Sequence, residues 1–174
     1  MEIVNLVVTG TVGAGKSTFI RSVSEMKVVD SDGNTTGNEA FSIQDTSASI
    51  DFETLKFDEE MALHIYGTPS QVRFDFMWEI SIERAHAYVL LIAAHRPSEF
   101  HYARRILNFM NRRAQIPMII GITHNDCEGA WRPEDIALAL GYQDSSKQPP
   151  IVAVNAQNRE SVAMALITLM EHCL

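Results

Sequence analysis

The feature that most constrains this chain is one run of eight residues, Gly10-Thr11-Val12-Gly13-Ala14-Gly15-Lys16-Ser17. It fits the spacing G-x-x-x-x-G-K-S/T. Ahead of it stands Ile3-Val4-Asn5-Leu6-Val7-Val8, an apolar run of the kind a fully buried strand requires. Behind it, Ser17 to Val23 can be helical. Strand, glycine loop and helix in that order turn this spacing into an anion cradle. The glycines let the main chain curl so that its N–H groups converge on anionic oxygens. The start of the helix adds its positive end. The Lys16 ammonium can reach β- and γ-phosphates, and the Ser17 hydroxyl can ligate Mg²⁺. Gly13, Ala14, Gly15, Lys16, Ser17 and Thr18 are therefore the candidate phosphate-side residues.

The remaining composition narrows what such a loop serves. With 174 residues and 46% hydrophobic content, the chain is expected to form one domain, residues 1–174, with a substantial core. Fourteen Lys+Arg against 22 Asp+Glu give a net charge of -8, which argues against a general nucleic-acid surface. Arg104-Arg105 and Arg112-Arg113 are expected on the solvated side of a helix. Cys127 and Cys173 are too few for a metal site of their own or a disulfide framework, which fits a reducing cytoplasm. The N-terminus lacks the pattern of a signal peptide, and no apolar run reaches spanning length. The terminal Glu171-His172-Cys173-Leu174 is not a prenylation box. No integral membrane segment is expected.

Along the chain, Asp30 to Thr46 is polar and glycine-containing, and reads as a long loop. Ala48–Phe57 and Met61–Tyr66 read as a hairpin, with a change of apolar phase near Thr54 that suggests a bulge. Gly67 to Ser70 is a turn signal before a helix running to Arg84. Apolar strands follow at Ala87–Ala94, Pro117–Ile122 and Ile151–Val154. Helices are expected at Glu99–Arg113, Pro133–Leu140 and Ser161–Cys173. Strands alternating with helices predict an α/β fold, a six-stranded mixed sheet with helices on both faces. Ligands of such sheets sit outside the carboxyl ends of the strands.

Two further motifs fall at that edge. Thr123-His124-Asn125-Asp126 follows the fifth strand, and Asn155-Ala156-Gln157 follows the sixth. Guanine presents N1–H and N2–H₂ as paired donors, and the Asp126 carboxylate can accept both. Adenine offers no such pair, so a site built around a buried carboxylate at Asp126 would leave that group unpaired with adenine, which is costly.

With these residues in place, the chain resembles a Ras-like small GTPase of the P-loop NTPase class, most similar to the prokaryotic MglA-type branch. Thr123-His124-Asn125-Asp126 stands where Ras-like proteins carry N-K-x-D and resembles the prokaryotic variant T-K/H-x-D. Asn155-Ala156-Gln157 stands at the family's S-A-K. The resemblance implies that the Ala156 N–H meets the guanine O6 and that His124 covers the base as the family's lysine does, more weakly. Ser47-Ala48-Ser49-Ile50-Asp51-Phe52 resembles switch I. Counting from Asp51, Ser47 takes the place of the Mg²⁺-sensing threonine, and Thr46 is the alternative by residue type. Gly67-Thr68-Pro69-Ser70-Gln71-Val72-Arg73-Phe74 resembles switch II. Gln71 is placed to orient the attacking water; Gly67 replaces the Mg²⁺-side aspartate, a feature of the MglA-type branch, which often carries G-T-P-G-Q there; and Ser70 departs even from that branch, replacing a glycine whose backbone can flip.

What the resemblance implies is a GTP-dependent switch: GTP/GDP and Mg²⁺ as cofactors, slow hydrolysis with Gln71 and Lys16 in catalytic roles, and a roadblock-domain protein as regulator or effector. A nucleotide-locked, non-hydrolysing scaffold is the alternative that Gly67 and Ser70 allow, and a small ATP-dependent kinase is a more distant one. Phe74, Phe76, Met77, Trp78, Ile80 and Ile82 crowd one helix and either pack the sheet or offer a partner surface. The six histidines show no metal-ligand spacing. Arg73 and Arg96 are candidates for an arginine finger but are read as surface or salt-bridge residues.

Overall fold

The computed structural model describes residues 2–24, 52–56, 59–68 and 82–173. Among these residues six strands form one sheet: β1 (Glu2–Gly10), β2 (Phe52–Lys56), β3 (Met61–Gly67), β4 (Ala87–Ala93), β5 (Met118–Thr123) and β6 (Ile151–Ala153), in spatial order β2-β3-β1-β4-β5-β6. Only β2 is antiparallel to its neighbour; β1, β3, β4, β5 and β6 pair in parallel. The expected mixed sheet is borne out.

The apolar runs explain the layering. All seven residues of β4 and all six of β5 are buried. Successive side chains of a strand point to opposite faces, so one run supplies two cores. On one face Val8, Val89 and Leu91 pack with Phe19 and Val23 of α1 (Lys16–Ser24) and with Val162, Leu166 and Leu169 of α4 (Arg159–Cys173). On the other face Val7, Tyr88, Leu90 and Ile92 meet Ala103, Ile106 and Met110 of α2 (Phe100–Arg113) and Ile136 of α3 (Pro133–Ala139). Helix α2 begins after a 3-10 turn opened by Pro97. Proline likewise opens α3, where a missing N–H costs no helical hydrogen bond.

One expectation is corrected. No bulge interrupts β2: its register against β3 runs unbroken from Phe52↔Tyr66 to Lys56↔Ala62, through Thr54↔His64. Among the described residues, strand β2 lies at the end of the sheet, with β3 its only neighbour in the strand order. Main-chain pairing therefore sets its register, and the side-chain phase can change without an inserted residue. Ile82 is buried at 1% exposure in the core, whereas Phe74, Phe76, Met77, Trp78 and Ile80 lie outside the described residues. No helix among the described residues is long and apolar enough to cross a membrane.

Candidate functional site

The carboxyl ends of β1, β4, β5 and β6 open onto one edge, and the loops that follow them meet there. The first is the turn from Gly10 to Lys16. Gly10 takes φ +155°, and a Cβ there would stand 2.3 Å from the Leu91 carbonyl oxygen on β4. Only a residue without a side chain lets β1 and β4 stay paired at that point. Gly13 and Gly15 take φ +74° and +97°, in the left-handed region. A Cβ on Gly15 would lie 3.3 Å from the Ala156 methyl, so the phosphate loop and the loop after β6 touch.

Lys16 is buried at 9% exposure, and its Nζ donates to the carbonyls of Gly10 and Thr11, each at 3.0 Å. The loop thus folds around the base of its own cation. Ser17 is exposed at the start of α1, and Thr18 is half-buried beside it. A hydroxyl at a helix start supplies an oxygen of the kind Mg²⁺ prefers, and Mg²⁺ bound with phosphates requires few protein ligands. Ser17 therefore fits that ion. The other candidates for it, Thr46 and Ser47, lie outside the described residues, as does Gln71. Gly67, at the end of β3, and Thr68 are described; the Thr68 hydroxyl donates to Thr9 Oγ1 at 2.8 Å.

The loop after β5 is bound to the phosphate loop directly. Thr123, 2% exposed, donates its hydroxyl to the Ala14 carbonyl at 2.8 Å, across 109 residues of sequence. On the far side Ser22 of α1 donates to the Ala156 carbonyl. The Asn155 side chain accepts the Gln157 N–H at 3.1 Å, and the Asn155 N–H donates to Ser161 Oγ at 2.8 Å, which pins the turn that carries Ala156. His124 adopts φ +58°, rare for a side-chain-bearing residue, and its ring lies 4.7 Å from that of His95. Burial, and then the neighbouring His95, lower the His124 pKa below the ordinary histidine value, with Arg96 adding to this and Asp126 opposing it.

These loops enclose a cavity of about 560 Å³, within the size range of small-molecule sites. Of the expected residues, Gly15, Thr18, Thr123, His124, Asp126, Asn155, Ala156 and Gln157 line it together. Gly13 and Ala14 belong to the adjoining loop, and Lys16 and Ser17 to the start of α1. Asp126 is exposed on the cavity wall rather than buried. Sequence reasoning missed Cys127 and Ser161 on the lining. It also missed the place of Arg96, which follows β4 and reaches across to the phosphate loop, donating from Nη1 to the Val12 carbonyl at 2.8 Å. Its position just past the carboxyl end of a buried strand was the available signal.

A mostly parallel sheet with a glycine loop and a helix start at its carboxyl edge defines an α/β protein of the P-loop NTPase class. The sequence matches the Ras family over residues 5–174, and the chain belongs to that family. Its fold is shared with the solved Arl6 BBS3 small GTPase from Trypanosoma brucei with bound nucleotide analogue GppNp. That likeness has a TM-score of 0.73 at 17% identity and covers 98% of this chain and 96% of that one. No curated protein matches the chain in sequence.

Proposed function

We propose that this chain is a GTP-binding molecular switch of one domain, residues 1–174, with slow Mg²⁺-dependent hydrolysis of GTP to GDP and phosphate. The observation that carries the reading is the joining of the two halves of one cavity: the Lys16-centred loop on one side, and Asp126 with the Asn155–Gln157 turn on the other, tied by the Thr123 bond to Ala14. Gly13, Ala14, Gly15, Lys16, Ser17 and Thr18 would hold the phosphates, the loop through its N–H groups and Lys16 as a point charge. Asp126 would accept the N1–H and N2–H₂ of guanine, the Ala156 N–H would meet O6, and Thr123, His124, Asn155 and Gln157 would frame the base. Ser17, with Thr46 or Ser47, would hold Mg²⁺, which neutralises charge on the β- and γ-phosphates when bound. Gln71 would orient the attacking water. The Gly67-Thr68-Pro69 and Thr123-to-Asp126 segments support a place in the MglA-type branch, that likeness would bring a roadblock-domain regulator or effector, and the use of only two cysteines fits a cytoplasmic setting.

Denaturing release of nucleotide from purified protein, followed by chromatography, tests the reading: GDP or GTP is expected. Failure to bind either at micromolar concentration with Mg²⁺ present overturns it. Gly67 leaves the end of β3 without a carboxylate, which favours a non-hydrolysing scaffold as the second reading. Single-turnover hydrolysis separates the two. A measurable rate that drops in Gln71→Ala removes the scaffold, and no rate in the parent protein favours it.

A further inference from the structure

Outside the residues assigned above, one cation among the described residues, Arg96, reaches the phosphate loop from another element. Arg96 belongs to the turn that follows β4. Its own N–H donates to the Ala93 carbonyl at 3.2 Å, and its carbonyl accepts the Glu99 N–H at 3.0 Å. The turn is braced from β5 and from the loop beyond it, since Ala94 N–H donates to Thr123 O at 2.9 Å and Trp131 N–H donates to Ala94 O at 2.9 Å. The guanidinium therefore extends from a fixed base. It donates to the Val12 carbonyl at 2.8 Å and lies so close over Gly13 that a Cβ there would stand 2.4 Å from Nη1.

The consequence follows from the peptide unit. In a trans peptide the C=O of one residue and the N–H of the next point in opposite directions, and no cis bond occurs among the described residues. A donor that holds the Val12 carbonyl on one side turns the Gly13 N–H to the other. Thr123 does the same for the next unit but one: by holding the Ala14 carbonyl it turns the Gly15 N–H away from itself. A hydrogen bond to a carbonyl also polarises the peptide and strengthens its N–H as a donor. The Arg96 bond is charge-assisted, hence the stronger of the two kinds.

We infer that Arg96 is a positioning residue for the phosphate loop: it fixes and polarises the Val12–Gly13 peptide so that the Gly13 N–H is presented to an anion, and it does so from the loop after β4. The inference rests on the reading that this loop takes phosphates. The Arg96 side chain is exposed, so its replacement leaves the core untouched. The role belongs to the donor and its charge rather than to the planar fork, since one N–H reaches the carbonyl.

The test uses the full chain with two probes, GDP and inorganic pyrophosphate, titrated calorimetrically into parent protein, Arg96→Met and Arg96→Lys. Arg96→Met is expected to weaken both probes about tenfold, as loss of one hydrogen bond from a charged donor does. Arg96→Lys is expected to recover most of that loss. All three proteins should melt at the same temperature. On adding pyrophosphate, the Gly13 amide resonance should shift in the parent and in Arg96→Lys, and by much less in Arg96→Met. Unchanged affinities in Arg96→Met, or a Gly13 shift that survives in it, overturn the inference while leaving the nucleotide reading intact. A parent protein that binds pyrophosphate but not GDP removes the guanine reading and leaves the Arg96 test standing on pyrophosphate. A parent that binds neither removes both.

Discussion

The loop between β1 and α1 and the loops after β5 and β6 face one cavity, yet they are built by different means. The first works through main chain. Its shape depends on Gly10, Gly13 and Gly15 and on carbonyls held by Lys16, Arg96 and Thr123. The second works through side chains, with Asp126 exposed on the wall and Asn155 spent on bracing its own turn. Main-chain recognition tolerates little change of residue because its geometry is shared with the strands that flank it. Side-chain recognition can be altered one group at a time. Replacing the glycines of the first loop should therefore cost fold and phosphate affinity together, whereas damage to the second should alter which base is chosen and leave the fold alone.

Gly10→Ala should produce the largest effect. The new methyl would run into the Leu91 carbonyl between two paired strands, at a cost of more than about 3 kcal/mol. Urea denaturation reads it; a variant as stable as the parent would mean that β1 and β4 part more easily than their pairing suggests. Lys16→Met comes next. It removes a buried cation that holds two loop carbonyls, and GDP affinity should drop by about two orders of magnitude. In Asp126→Asn the melting temperature should hold while preference moves from guanosine to xanthosine nucleotides by roughly a hundredfold, the worth of two charge-assisted hydrogen bonds. Competition between GDP and XDP decides it, and an unstable variant would erase the contrast drawn here.

Thr123→Val sharpens the comparison because Thr123 belongs to both regions. The swap keeps shape and leaves the Ala14 carbonyl without that donor, so stability should fall by about 1–3 kcal/mol and GDP affinity with it. An effect on stability alone would show the tie to be structural only. His124 gives the smallest effect. Its pKa is lowered in the fold, so an unfolded chain takes up its proton first as pH falls. Its contribution to stability is present above about pH 6.5 and is lost as pH falls from there toward the lowered value. Subtracting the stability–pH curve of His124→Asn, a residue that tolerates the left-handed backbone, should isolate that slope.

Much of this was legible beforehand, for reasons that differ by residue. Apolar runs such as Ala87–Ala93 declare strands buried on both faces, and Gly10 to Ser17 declares its loop because few other residues can make that curve. Thr54 misleads because side-chain phase is a poor guide to a ladder that main-chain pairing sets. Arg96 reads in sequence as a surface or salt-bridge residue. It is exposed, but a contact that joins residue 96 to residue 12 leaves no periodic trace in sequence. The exposure of Asp126 was equally hidden, since it depends on how far apart the walls of the cavity stand.

The Thr123–Ala14 bond spans 109 residues and the Ser22–Ala156 bond spans 134. A partly folded chain, however complete its first hairpin or helix, owns only one bank of the cavity. Any small molecule that settles there recognises the finished native state alone, and by mass action it would raise global stability by about 4 kcal/mol at a thousandfold excess over its dissociation constant. Occupancy would then act as a late proofreading step in maturation, sparing chains that have closed both long-range ties from the fate of those that have not.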